Sequence, residues 1–221
     1  MRALLFICFT LILTIVQAQP RVVTFGEEGT EPTNPAPKNL IKLNPFEFVA
    51  GDFSIYYERI LTEKLTAEVG IGMTNADLYG LVNYIDLYSP FNNFVTPKMG
   101  FSFTAAIRFY PIEALEGIYV APEFKYRKYN WERITYDDLY FFDEPYDNEQ
   151  MVEEDRTYTI PRITFGWMIL YDNNLSLDWS IGLGMNTAKE NIYNEETMMM
   201  EVRKRGTNPR LNLGLKIAYA F

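Results

Sequence analysis

The sequence predicts an all-β fold: an eight-stranded, antiparallel, up-and-down transmembrane β-barrel with short periplasmic turns and long external loops. Three observations point there. Beyond residue 38 apolar residues recur with period two, and no helical apolar stripe of useful length competes. The face opposite the apolar one is mostly Gly, Ser, Ala, Thr and Asn, whereas a soluble sandwich would show a charge-rich exterior there. The connections alternate between tight and long. Composition fits this alternation: 48% of residues are hydrophobic, yet the mean hydropathy is −0.13.

The first segment is expected to be removed. Arg2 precedes an apolar run, Ala3 to Val16, which ends at Val16-Gln17-Ala18, the pattern of a signal peptide cut after Ala18. The run is shorter than the roughly 20 residues of a spanning helix. Cys8 lies too early, after Ile7, to mark a lipoprotein. Residues 19–38 hold four of the twelve prolines and read as a flexible periplasmic tail, within which Arg21 to Phe25 could pair as a strand. The barrel is expected over 39–221.

Strands follow at 39–49, 52–60, 65–74, 99–110, 117–131, 156–171, 175–186 and 210–221. In 65–74, Leu65, Ala67, Val69, Ile71 and Met73 alternate with Thr66, Glu68, Gly70, Gly72 and Thr74. In 99–110, Phe101, Phe103, Ala105, Ile107 and Phe109 share a face; in 175–186 the face is Leu175, Leu177, Trp179, Ile181, Leu183 and Met185. The last strand sets Leu211, Leu213, Leu215, Ile217, Tyr219 and Phe221 against Arg210, Asn212, Gly214, Lys216, Ala218 and Ala220. Small residues suit the crowded interior of a narrow barrel, so the large face points outward, where only lipid tolerates it over a whole surface. Strands of about ten residues match a tilted membrane crossing, and closure satisfies the backbone within hydrocarbon.

Tight connections at 61–64, 111–116 and 172–174 read as periplasmic turns. Connections at 75–98, 132–155 and 190–207 read as external loops, with 50–52 a short exception. An even strand number leaves both termini periplasmic. Tyr57, Phe109, Tyr126, Trp131, Tyr171 and Tyr219 fall near strand ends, as girdle anchors would.

The closing Tyr219-Ala220-Phe221, the Asn39-Leu40-Ile41-Lys42-Leu43-Asn44-Pro45 start and Tyr56-Tyr57-Glu58-Arg59 are similar to the small, largely uncharacterised outer-membrane β-barrels common in Bacteroidota, of OmpA/OmpX-like architecture. The resemblance spans residues 38–221. It implies an outer-membrane location and recognition of Tyr219 and Phe221 by the barrel-assembly machinery; it implies no reaction.

Composition narrows the chemistry. The chain has no His, which removes Ser-His-Asp triads, Cys-His pairs and HExxH zinc sites. Its lone Cys8 removes disulfide frameworks. A net charge of −9 argues against nucleic acid. The inward faces carry Glu58, Glu68, Arg108, Glu123, Lys125, Arg127, Arg162, Asp178, Arg210 and Lys216. Glu58 and Glu68 lie on adjacent strands and read either as an acid/base pair or as part of a structural network of carboxylates and cations; the network is the expected reading.

Loop 132–155 interleaves carboxylates and rings: Tyr136, Asp137, Asp138, Tyr140, Phe141, Phe142, Asp143, Glu144 and Tyr146. It reads as a solvated surface facing water and lipopolysaccharide-bound cations, or as aromatic anchors for an unknown surface protein. It lacks the spacing and glycine of an EF-hand, so no metal site is assigned. Loop 75–98 offers Tyr79, Tyr84, Tyr88, Phe91 and Phe94. In 190–207 the run Met198 to Met200 is either an adaptable contact surface or strand continuing above the membrane.

The expectation is therefore an outer-membrane barrel with a structural or surface-interaction role, embedded in lipid bilayer and lipopolysaccharide, with no cofactor and no catalysis. Alternatives are a narrow channel or small-solute transport component, a lipid-modifying barrel enzyme, and a soluble lipocalin-like barrel with the large face turned inward.

Overall fold

The computed structural model describes residues 38–75, 95–136, 149–171, 174–194 and 197–221. Eight strands run β1 Asn39–Leu43, β2 Asp52–Thr62, β3 Leu65–Asn75, β4 Val95–Phe109, β5 Gly117–Tyr136, β6 Glu149–Leu170, β7 Leu175–Asn194 and β8 Met199–Ala220. Each pairs antiparallel with its successor and β8 returns to β1, closing the ring. Closure rests on four facing pairs, from Leu40 opposite Ala220 to Leu43 opposite Ile217. It is extended by the Phe221 backbone, whose N–H donates to Asn39 O at 2.9 Å. The predicted fold class is thus present, with eight up-and-down antiparallel strands.

The first predicted strand, 39–49, is corrected. β1 stops at Leu43, and a short helix, α1 Pro45–Val49, takes over. Pro45 starts the helix, where its missing N–H costs nothing. The Asn44 side chain caps it by accepting from the Phe46 N–H at 3.2 Å. Gly51, at φ 67°, supplies the left-handed residue that turns the chain into β2. α1 packs against β2 and β8. It points Glu47 inward and leaves Phe46 and Val49 exposed. Above Ile217, no strand among the described residues pairs with β8 on the β1 side.

The three predicted long loops are also shorter than expected, and β4 already begins at Val95. β5 continues to Tyr136 and β6 begins at Glu149; β7 runs to Asn194 and β8 begins at Met199. In these extensions cross-strand ion pairs replace apolar alternation. Lys128 reaches Asp155 at 3.5 Å, Arg133 reaches Glu154 at 3.0 Å, and Arg156 reaches Glu190 at 2.5 Å. The Met198–Met200 run enters β8, with Met198 at the turn at φ 53°.

Side-chain parity divides the wall as expected. Ile55, Ile71, Phe103, Ile107, Phe165, Trp167, Ile181, Leu183 and Leu213 are exposed on the outer face, while Tyr56, Glu58, Glu68, Thr104, Arg108 and Asp178 are buried inside. On β7 the outer apolar run extends from Leu175 to Met185. At about 3.4 Å per residue and a typical barrel tilt of about 40°, that is roughly 26 Å of height, close to the apolar band of about 25 Å in membrane barrels. Tyr57, Phe109 and Tyr219 stay on this exposed face. Trp131 does not: its indole N–H donates to Glu154 at 2.8 Å and its ring packs on the buried Tyr129–Tyr158 cluster.

Inside, glycines make room for rings. A Cβ at Gly70 would come within 2.6 Å of the Tyr56 ring, and one at Gly166 within 2.5 Å of Tyr119. The barrel end that holds the tight turns is stopped by an apolar cluster that includes Leu40, Tyr110, Leu115, Tyr119, Met168 and Ala218.

Candidate functional site: a charge-balanced lumen

The lumen is packed with side chains. Within the apolar band six buried carboxylates (Glu47, Asp52, Glu58, Glu68, Glu123 and Asp178) meet six buried cations (Lys42, Arg108, Lys125, Arg127, Arg162 and Lys216), while buried Glu154 and Glu190 lie in the strand extensions, paired with Arg133, Arg156 and Arg205. Equal numbers leave this layer without net charge, the condition under which buried ions are tolerable.

Three groups of contacts organise it. In the lower group Glu58 stands directly opposite Glu68 across β2 and β3. Lys42 pairs with Glu58, with Glu68 at 3.2 Å and with Asp178 at 3.0 Å. Arg108 reaches Glu68 at 2.5 Å and Asp178 at 2.6 Å, and Lys216 reaches Glu68 at 2.5 Å. Hydroxyls complete the shells: Tyr119 donates to Asp178 at 2.6 Å, Tyr110 donates to Glu58 at 3.1 Å, and Thr66 donates to Glu58. The Arg108 guanidinium also lies 4.4 Å from the Tyr119 ring centroid, a cation–π contact.

In the upper group α1 contributes directly. Lys125 contacts Glu47 at 2.5 Å and Asp52 at 2.9 Å, and Arg127 holds Asp52 at 2.6 Å. Ser102 donates to Asp52 at 2.7 Å, and the Tyr56 hydroxyl donates to Glu47. The third group is Arg162 with Glu123, joined by the Thr164 hydroxyl at 3.2 Å from Glu123.

Of the ten interior residues expected from the sequence, nine lie in these groups. Arg210 does not; it sits half-buried on β8 opposite Gly184 and makes no ion pair among the described residues. Three members were missed. Lys42 follows from parity, since Ile41 and Leu43 point out. Asp52 follows as well, since it shares the parity of Glu58 on β2; Glu47 does not, because α1 breaks the alternation there. Of the external-loop residues, the Tyr136 backbone ends β5, and residues 137–148 lie outside the described residues, as do 1–37 and the aromatics of 76–94.

As chemistry, the arrangement favours cohesion over reactivity. Each carboxylate faces at least one cation within hydrogen-bonding range, so no acid stands apart as a proton donor. Among the described residues no group of His, Cys, Asp and Glu is arranged to hold a metal.

No family model matches the chain, and no curated protein matches it. Among solved structures the chain is similar to a major outer membrane protein from Thermus thermophilus. Identity is 14%, covering 85% of this chain and 100% of that one, with a TM-score of 0.35. The fold assignment rests on the strand register.

Proposed function

We propose that this chain is an outer-membrane β-barrel with a structural or surface-interaction role and no catalysis, exported by its N-terminal signal, with both termini periplasmic. The observation that carries this is the band of large apolar side chains exposed around a closed barrel. A soluble monomer rarely leaves so continuous an apolar surface in water, and a closed barrel is one of two ways to cross lipid with every backbone group satisfied. The soluble, ligand-holding alternative needs the large face inside, where charged groups and tyrosines sit instead.

The filled lumen supports a non-conducting barrel. Eight strands leave an interior just wide enough for side chains, and the paired acids and bases leave no unbalanced charge along the axis. Contact with other surfaces then falls to the strand extensions and loops beyond the band. The test is to express the full chain in a Gram-negative host, separate outer and inner membranes, and record the purified barrel in planar bilayers. The expected result is outer-membrane protein that resists alkaline extraction and gives no steady conductance. Soluble protein, or reproducible unitary currents, would overturn the reading.

A further inference from the structure

We propose that the outer wall of β5–β8 binds an anionic, phosphate-headed lipid, with its acyl chain in a groove of the apolar band and its headgroup on a row of lysines. This rests on the membrane reading above.

The register builds the site in three steps up the wall. Lowest is a shallow groove of about 720 Å³ crossing from β3 to β7, floored by Ala67, Ala105 and Pro122 and walled by Ile107, Phe124 and Leu183. Four strand spacings make it about 19 Å long across the strands, enough length for part of an acyl chain to lie against the wall. Small residues on an otherwise bulky face leave a dip in which a chain can lie.

Above the groove, Tyr126, Thr159, Thr187 and Thr207 face one another in sequence across β5, β6, β7 and β8. The hydroxyls of Thr187 and Thr207 are 3.0 Å apart. This row offers hydroxyl groups where lipid esters and glycerol would sit.

The next row is Lys128, Thr157, Lys189 and Lys204. Their neighbours Tyr129, Tyr158, Ala188 and Glu190 are buried toward the inside, so the row itself faces outward. Lys189 stands directly opposite Lys204, and like charges in that position destabilise a sheet. Neither lysine makes a salt bridge among the described residues. Asp155, 3.5 Å from Lys128, is the acid that contacts the row; it offsets Lys128 and leaves the Lys189–Lys204 pair for an external anion. A phosphate between the two ammonium groups relieves their repulsion while its chain fills the groove. A second copy fits poorly, because it would oppose the same lysines.

The experiment reconstitutes the full barrel in nanodiscs of equimolar phosphatidylcholine and phosphatidylglycerol and reads retained lipid by native mass spectrometry. Wild type is expected to retain phosphatidylglycerol preferentially. The double variant Lys189→Gln/Lys204→Gln should lose about fivefold of that preference per lysine removed, whereas Lys98→Gln, which breaks a pair with Glu132 outside the row, should not. Inorganic phosphate should not abolish the preference; if it does, the row is a free-anion site and the lipid proposal is overturned. Insertion without any preference, or a preference unchanged in the double variant, overturns this proposal alone. Failure to insert overturns the membrane reading with it.

Discussion

Glu58 and Glu68 face each other directly across β2 and β3, and one ammonium, that of Lys42, pairs with both. Lys42 and Arg108 bridge these two fully buried carboxylates and Asp178, and Lys216 adds a third cation at Glu68. Replacing Lys42 by Met removes the shared cation and leaves three acids to Arg108 and Lys216. The expected loss is about 3–5 kcal/mol of unfolding free energy, read by urea titration of the barrel in detergent. Adding Glu58→Gln to Lys42→Met restores the charge balance and should recover part of that loss.

Close packing inside the wall makes a second prediction. Gly166 lies under the Tyr119 ring, whose hydroxyl donates to Asp178. Gly166→Ala forces the ring away from its carboxylate and should destabilise the barrel by about 1–3 kcal/mol, seen as a lower temperature for loss of the compact band on unboiled gels. Gly206, which has open space around it, serves as the control; Gly206→Ala should leave that temperature unchanged.

Much of this wall was legible from alternation alone, because a two-sided barrel strand must put large residues toward lipid and small or paired polar ones inside. Leu175 to Met185 follow that rule without exception, and Phe101 to Phe109 depart from it only at Ala105, a small residue on the outer face. It fails where something other than burial decides conformation. The segment Phe46-Glu47-Phe48 has the spacing of a strand, yet the Asn44 cap and Pro45 favour a helical turn, and that turn brings Glu47 inward. Above the apolar band both strand faces are polar, so Arg133, Glu154 and Glu190 resemble loop residues in sequence although they pair across strands.

Those upper pairs are themselves testable. Buried Glu190 accepts from Arg205 at 2.9 Å and pairs with Arg156 at 2.5 Å, tying β6, β7 and β8 together. Glu190→Ala should loosen only the extensions. Trypsin added to intact proteoliposomes should then cut at Arg203, Lys204 or Arg205 several times faster than in wild type, because local opening governs cleavage. The protected membrane fragment should persist in both proteins.

Helix α1 depends on its cap. Asn44→Ala removes the acceptor for the Phe46 N–H and should cost about 1 kcal/mol. The same denaturant titration reads the loss. Asn44→Asp, which keeps an acceptor, should cost less.

In a membrane barrel the large-residue face contacts lipid. Apart from Cys8 the chain has no cysteine, so single cysteines placed in turn at positions 101–107 of β4 in a Cys8→Ser background report on their own surroundings. With spin labels in proteoliposomes, collisions with lipid-soluble oxygen should peak at 101, 103, 105 and 107 and fall at 102, 104 and 106. A water-soluble nickel chelate should give no matching peaks. The reverse result, with the odd positions reached by the chelate, or protein that never enters the liposomes, would contradict the account.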